Sequence, residues 1–165
     1  MVRLVLGLMA MVVATGFAFA GTWQTYVNER FGTTADVPAD WRPGEPPANG
    51  DGLRFTSPDG TASVAVFGSL QTFDTIDEAI AIYETPEDGA TITYRRRDDR
   101  GLVVSGTRGD RIFYRRWLLS CGDAVWNGLS IEYPAAGKQA YDPLVTHMSR
   151  SLRAGTGWQV EDCPD

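Results

Sequence analysis

The chain has 165 residues, of which 43% are hydrophobic, and it carries 15 Lys and Arg against 21 Asp and Glu. This length and composition suit one folded domain and exclude a disordered chain. The formal net charge of −6 argues against a general nucleic-acid binder, and a single His with two Cys excludes a zinc-finger type of metal site.

Residues 1–20 have the pattern of a secretory signal peptide. Arg3 gives a short positive region, Leu4–Val13 is apolar, and Ala18–Ala20 forms a small-x-small cleavage site. An uncleaved anchor is the alternative, because no charge follows Arg3 within this segment. We predict cleavage after Ala20 and a periplasmic or secreted mature domain, residues 21–165, with no membrane span.

Three motifs open the mature chain: Tyr26-Val27-Asn28, Phe31-Gly32 and Val37-Pro38-Ala39-Asp40-Trp41. Their order resembles the start of PsbP/Mog1-like domains, including several small exported proteins of unknown function from Gram-negative bacteria. The resemblance implies an antiparallel sheet covered by helices, and a binding or assembly role without catalysis. It carries over no catalytic residue and no cofactor.

The middle of the chain has the alternating pattern of β-strands separated by turns such as Ser57-Pro58-Asp59-Gly60. Six strands are predicted: Leu53–Thr56, Thr61–Phe67, Ile92–Arg97, Leu102–Thr107, Arg111–Leu119 and Ala124–Tyr133. Because short turns join successive strands, we expect an antiparallel meander.

Two amphipathic helices interrupt and follow these strands. The first is predicted from the capping box at Thr75 and Glu78, and Pro86 ends it. The second is predicted to start at Asp142 as N-cap, with Pro143 as its first residue, and to be closed by Gly155. Apolar stripes comprise Ile76, Ala79, Ile80 and Tyr83 in the first, and Leu144, Val145, Met148 and Leu152 in the second. The fold class is therefore α+β, a sheet covered by two main helices.

Cys121 and Cys163 are the only cysteines, and export would place them in an oxidising compartment. We predict a structural disulfide that ties the C-terminal tail to the domain. A redox pair is the alternative, but it favours a C-x-x-C spacing, which is absent.

Arginines and a tryptophan provide candidate binding residues. We expect Arg95 and Arg97 to share one strand face, opposite Ile92, Tyr94 and Arg96. With Arg115 on the neighbouring strand, they would form a patch that attracts anions or a partner. The alternative is a solvated sheet edge paired with Asp98, Asp99 and Asp110. Trp126 either faces outward as part of a binding surface or lies under a helix.

His147 is the only conventional general base. We expect it to lie beside the buried stripe of the second helix, with neither an orienting carboxylate nor a nucleophile assigned to it. Asp51 and Asp59 resemble calcium ligands, but the spacing of a calcium loop is missing, and Asp-Gly turns explain both residues. No metal site is predicted.

These observations favour an exported, non-enzymatic accessory protein that binds an envelope protein or a small ligand. A periplasmic hydrolase using His147 or loop carboxylates is the alternative, and a purely structural envelope module is a third hypothesis. No cofactor is predicted, and the oligomeric state is left open.

Overall fold

The computed structural model describes residues 22–155 and Cys163; the predicted signal peptide and most of the predicted tail lie outside the described residues. Ten elements precede the final helix: β1 (Trp23–Val27), β2 (Thr34–Pro38), β3 (Arg42–Pro43), β4 (Gly52–Thr56), β5 (Ser63–Leu70), α1 (Ile76–Tyr83), β6 (Ala90–Asp98), β7 (Gly101–Arg108), β8 (Arg111–Ser120) and β9 (Val125–Pro134). A short 3-10 turn, Ala135–Gly137, then leads into α2 (Lys138–Ser151).

Seven strands form one antiparallel sheet in the order β3-β4-β5-β9-β8-β7-β6, and β1 pairs with β2 in a separate two-stranded ribbon. Strands β6 to β9 form the predicted meander, each pairing with the next. β5 pairs with β9, which therefore lies at the centre of the sheet. α1 carries the chain from β5 to β6, an outer strand of the sheet. The prediction of an α+β fold with an antiparallel sheet and two helices is confirmed.

One face of the sheet packs against α2 and the β1–β2 ribbon. Alternate residues of β5 and β9 point into this core because side chains alternate along a strand. The fully buried members from the two strands are Val64, Val66, Leu129 and Ile131. They pack with Val145, Met148 and Leu152 from α2 and its end, and with Ala35 and Val37 from β2. This is the largest of the three hydrophobic clusters among the described residues, and it fixes where α2 lies.

The opposite face is partly covered by α1. The Thr75 hydroxyl accepts a hydrogen bond from the amide of Glu78 at 3.1 Å, as the predicted capping box requires. The Glu78 carboxylate accepts from the amide of Asp74 rather than that of Thr75. Ala79 is fully buried against Leu102, Val104, Phe113, Trp117 and Trp126. Because α1 has only eight residues, it leaves the face of β4, β5 and part of β9 uncovered.

The prediction that α2 starts at Asp142 is wrong, because the helix begins at Lys138 and Pro143 lies inside it. The Asp142 carboxylate accepts from the Lys138 ammonium at 2.6 Å, one turn away, instead of capping the helix start. Tyr141 stacks on Tyr133, with ring centroids 5.0 Å apart. Packing against β9 thus extends the helix before the proline, whose effect is confined to one missing hydrogen bond near its start.

The predicted closure of α2 at Gly155 is also wrong. The helix ends at Ser151, and Arg153 then forms a β-bridge with Thr34 of β2. The two backbone hydrogen bonds of this bridge measure 2.8 and 3.1 Å. The chain therefore leaves the helix by pairing with the ribbon, and this bridge satisfies the backbone amide and carbonyl of both Arg153 and Thr34.

Candidate functional site

Cys121 and Cys163 form a disulfide in the structure, with their Cα atoms 4.4 Å apart. Cys121 lies in the tight turn between β8 and β9, where its φ of 56° and that of Asp123 at 68° are left-handed. Phe31 and Val125 pack beside the pair. The bond joins residue 163 to the end of the sheet, as the sequence predicted.

The three predicted arginines, Arg95 and Arg97 of β6 and Arg115 of β8, lie on one face of the sheet. Arg95 pairs in register with Val104 of β7, and Val104 pairs with Arg115 of β8, so all three side chains point the same way. The prediction placed Ile92 on the opposite face. It is wrong there, because an irregularity between Ile92 and Tyr94 shifts the register by one residue.

These arginines do not form a free anion-binding patch, because glutamates after α1 pair with them. Glu84 accepts two hydrogen bonds from Arg97, at 2.6 and 2.7 Å, and its carbonyl accepts one from Arg95. Arg97 lowers the pKa of the Glu84 carboxyl, against the raising effect of burial. Glu87 accepts from Arg115 at 2.6 Å. The partners thus come from the end of α1 and its loop, not from the aspartates that the sequence suggested.

Trp126 is fully buried, which rules out its use as an exposed binding residue. Its indole N–H points to the Oε1 atom of Gln71 at 3.4 Å, and Tyr83 meets its ring edge-on at a centroid distance of 5.3 Å. Of the two positions that the sequence allowed, Trp126 takes the one under a helix.

His147 has an acidic partner that sequence spacing did not suggest. Its Nε2 lies 2.9 Å from the carboxylate of Asp36 in β2, and its ring stacks on Trp23 at 3.8 Å. The Thr25 hydroxyl donates to the other carboxylate oxygen at 2.8 Å. Burial acts to raise the pKa of Asp36, but these hydrogen bonds and the charges of His147 and Arg153 lower it. Among the described residues, no hydroxyl or thiol hydrogen-bonds to the imidazole, so a nucleophile is missing from this pair.

Of the two loop aspartates, Asp59 serves as a turn residue, whereas Asp51 lies between a turn and β4. The Asp59 carboxylate accepts from the hydroxyls of Ser57 and Thr61 and from the Thr61 amide. These bonds lower its pKa to about 2. Asp51 pairs with Arg30. Within residues 22–155 and at Cys163, no cluster of three or more His, Cys, Asp or Glu is arranged to hold a metal ion.

An open groove of about 720 Å³ lies on the sheet face that α1 leaves uncovered. Small side chains form its floor, where Ala65 of β5 pairs in register with Ser130 of β9. The ring of Phe67 lies directly over Gly128. A β-carbon added to residue 128 would lie 2.3 Å from this ring, so only glycine fits at that position. Phe67 therefore fills the space over Gly128, and Ala65 and Ser130 form the floor of the groove beside it.

The groove has an aromatic wall and a loop wall. Tyr83, the last residue of α1, stacks on Trp117 at a centroid distance of 4.7 Å. The opposite side is formed by residues 45–51, and Arg54 and Arg115 lie at the rim. Sequence reasoning missed this site. Its signal was the small size of Ala65 and Ser130, at positions that alternate with buried residues of the same strands: Val64, Val66, Leu129 and Ile131.

Comparison with solved structures identifies the same architecture in other proteins. The solution structure of the cyanobacterial PsbP protein CyanoP from Synechocystis superposes with a TM-score of 0.59 and 13% identity, covering 87% of this chain and 98% of that one. The Ran-binding protein Mog1p of Saccharomyces cerevisiae gives a TM-score of 0.54 and 10% identity, covering 82% and 96% of the two chains. A mutant of Mog1 gives 0.53, also at 10% identity, covering 81% and 96%.

The chain therefore has the PsbP/Mog1-like fold, which confirms the resemblance seen in residues 26–41. No protein-family model and no curated protein sequence matches the chain. At such low identity the likeness concerns the fold alone. In the described part of the chain, no helix is long and apolar enough to cross a membrane.

Proposed function

We propose that this chain is an exported, non-enzymatic accessory protein that binds a partner protein in the open groove between α1 and residues 45–51. The observation that carries the proposal is the uncovered half of the sheet, with its floor of small residues and its aromatic wall. An exposed concave surface of this kind, walled by aromatic residues, is typical of binding sites.

The groove suits a segment of protein better than a small molecule. It is open to solvent along its length, and its rim carries charges of both signs, Arg54 and Arg115 against Glu45 and Asp51. Mixed charge around an aromatic centre is common in protein interfaces. The yeast protein with this fold is described as Ran-binding, which agrees with a protein-binding use of the fold.

Export is proposed on two grounds. Residues 1–20 have the pattern of a cleaved signal peptide. The disulfide between Cys121 and Cys163 suits an oxidising compartment. Mass spectrometry of the protein recovered from the cells tests this directly. A chain that starts at Gly21 supports export, and a chain that keeps Met1 in the membrane fraction contradicts it.

Site-specific photocrosslinking in cells tests the groove. A photoreactive residue at Arg54, on the rim, should yield a defined crosslinked protein, whereas one at Gln139, exposed on α2, should not. Ser130→Trp fills the floor and should abolish the Arg54 crosslink while the purified variant keeps its circular dichroism spectrum. A crosslink from Gln139 alone, or one that survives Ser130→Trp, would contradict the proposed site.

The hydrolase hypothesis has one observation in its favour, the contact between His147 and Asp36. The imidazole is stacked on Trp23, and no hydroxyl in the described residues approaches it within hydrogen-bonding distance. Covalent hydrolysis through His147 needs a hydroxyl or thiol nucleophile beside this base. The binding hypothesis therefore has the stronger support.

A further inference from the structure

A second cavity, of about 350 Å³, lies on the other face of the sheet where α2 ends. Its walls combine three arginines with three leucines: Arg100, Arg116, Arg153, Leu118, Leu119 and Leu152. Its volume is at the lower end of the range of about 300–1,000 Å³ that is usual for small-molecule sites.

Most arginines of the opposite face form ion pairs with glutamates, whereas, in the described part of the chain, the three arginines of this cavity do not. Arg97 pairs with Glu84, and Glu87 pairs with both Arg108 and Arg115. By contrast, no carboxylate within the described residues forms an ion pair with any arginine of the cavity. Asp98 is the one acidic residue in its lining, and its carboxylate accepts from the backbone amide of Arg100 at 3.1 Å. The cavity thus keeps an excess of positive charge in a chain whose net charge is −6.

The backbone holds each arginine in place. The carbonyl of Arg100 accepts from the amide of Leu119 at 2.7 Å, which fixes the β6–β7 turn against β8. Arg116 lies within β8, between Val103 and Leu129 in register. Arg153 is anchored by its bridge to β2. Because the three attachment points are fixed in the sheet and its edges, little backbone entropy is lost when a ligand binds.

Two of these arginines also stabilise the end of α2. Arg116 donates from Nη1 to the carbonyl of Ser149, and Arg153 donates from Nη1 to the carbonyls of Arg150 and Leu152. Each guanidinium has five N–H donors, so most of them are still available. These contacts orient the side chains toward the cavity and do not neutralise their charge.

We propose that this cavity binds a small organic anion whose oxyanion group, a carboxylate or phosphate, lies between the arginines and whose apolar part rests on the leucines. Guanidinium groups form paired hydrogen bonds with carboxylate and phosphate oxygens. Leu118 and Leu119, both partly exposed, supply apolar surface in the same cavity. This site is separate from the groove, because Arg116 and Leu118 lie on the α2 face of β8, opposite Arg115 and Trp117.

Isothermal titration of the purified, disulfide-bonded protein with octanoate, octyl phosphate, octanamide and acetate tests both halves of the proposal. Octanoate or octyl phosphate should bind at least about tenfold more tightly than neutral octanamide, which lacks the charge, and than acetate, which lacks the apolar chain. The amides of Leu119 and Ala154 should shift in NMR spectra during the titration.

Arg100→Gln should weaken binding of the charged amphiphile about tenfold, because one charge-assisted contact is lost. Arg95→Gln, the same change at an exposed arginine on the opposite face, should have no effect. Arg153→Gln provides a second variant should Arg100→Gln alter the turn. Equal binding of octanamide and octanoate, or affinity unchanged in both cavity variants, would overturn the proposal. Tighter binding of octyl phosphate than of octanoate would identify phosphate as the preferred oxyanion.

Discussion

The side-chain oxygen of Asn127 lies 2.7 Å from the hydroxyl of Thr33, 94 residues earlier in the chain. The same oxygen accepts from the amide of Gly155 at 3.0 Å, and the Asn127 amide group donates to the hydroxyl of Ser120 at 2.9 Å. Asn127 and Thr33 are both fully buried. One side chain therefore ties the connection between β1 and β2, the segment after α2 and the end of β8 together.

Asn127→Ala should destabilise the protein by about 2–4 kcal/mol, because the buried hydroxyl of Thr33 and the amide of Gly155 both lose their acceptor. Thr33→Val should cost less, about 1 kcal/mol, since Asn127 keeps its bond to Gly155. Urea denaturation followed by tryptophan fluorescence measures both values. An Asn127→Ala variant no less stable than Thr33→Val would contradict this role.

Much of the sheet could be predicted from the sequence because its signals are local. Turns such as Asp59-Gly60 and alternation along β9 depend on neighbouring residues alone. The start of α2 could not be predicted, because the local preference of Asp142-Pro143 is overridden by packing of Tyr141 on Tyr133. This packing depends on how α2 docks against β9, which the local pattern around Asp142-Pro143 does not show.

The candidate sites could be predicted only in part, for the same reason. Arg95 and Arg115 were assigned to one face correctly because strand alternation is regular there. The ion pairs of Arg97 with Glu84 and of Arg115 with Glu87 depend on where α1 docks, which its own sequence does not specify. The contact of His147 with Asp36 joins residues 111 apart, and only the pairing of ribbon and helix brings them together.

His147→Ala should destabilise the protein by about 1 kcal/mol, because it removes the stacking on Trp23 and the hydrogen bond to Asp36. The loss is modest since the His147 side chain is 41% exposed. Thermal and urea unfolding measure it, with Gln139→Ala on the exposed part of α2 as control. If the losses of stability caused by Asp36→Asn and His147→Ala are additive in a double-mutant cycle, the contact between the two side chains does not stabilise the fold.

The pKa of Asp59, about 2, predicts a dependence of stability on acid pH. Folding lowers this pKa from 3.8, so the ionised carboxylate stabilises the folded state at pH values above 3.8. This contribution to the free energy of unfolding disappears as the pH falls towards about 2. NMR titration of the carboxyl carbon checks the pKa. Asp59→Asn should be less sensitive to pH in this window than the parent protein. A midpoint near 4 would show that the bonds from Ser57 and Thr61 do not form in solution.

Breaking the disulfide should lower the melting temperature and leave the sheet folded. The bond closes a loop with a sequence separation of 42, for which chain-entropy arithmetic gives about 4 kcal/mol as an upper value. Cys121→Ser with Cys163→Ser should keep the circular dichroism spectrum of the sheet, since the main core does not include either cysteine. Thiol titration of the parent protein without reductant should find no reactive thiol. Two reactive thiols per chain would contradict the bond.

Glu87→Gln should convert the paired arginines beside α1 into a surface that attracts anions. Its two carboxylate oxygens pair with Arg108 and Arg115, at 2.8 and 2.6 Å, so one substitution leaves Arg115 without its carboxylate partner and Arg108 with Glu132 alone. Stability should change by less than about 1 kcal/mol, because the Glu87 side chain is 50% exposed and surface ion pairs contribute little.

Retention on a sulfonate cation exchanger at fixed pH measures the gain in local positive charge. Glu45→Gln makes the same change in net charge at an exposed position and serves as the control. Equal retention of the two variants would mean that Glu87 does not shield Arg108 and Arg115 in solution.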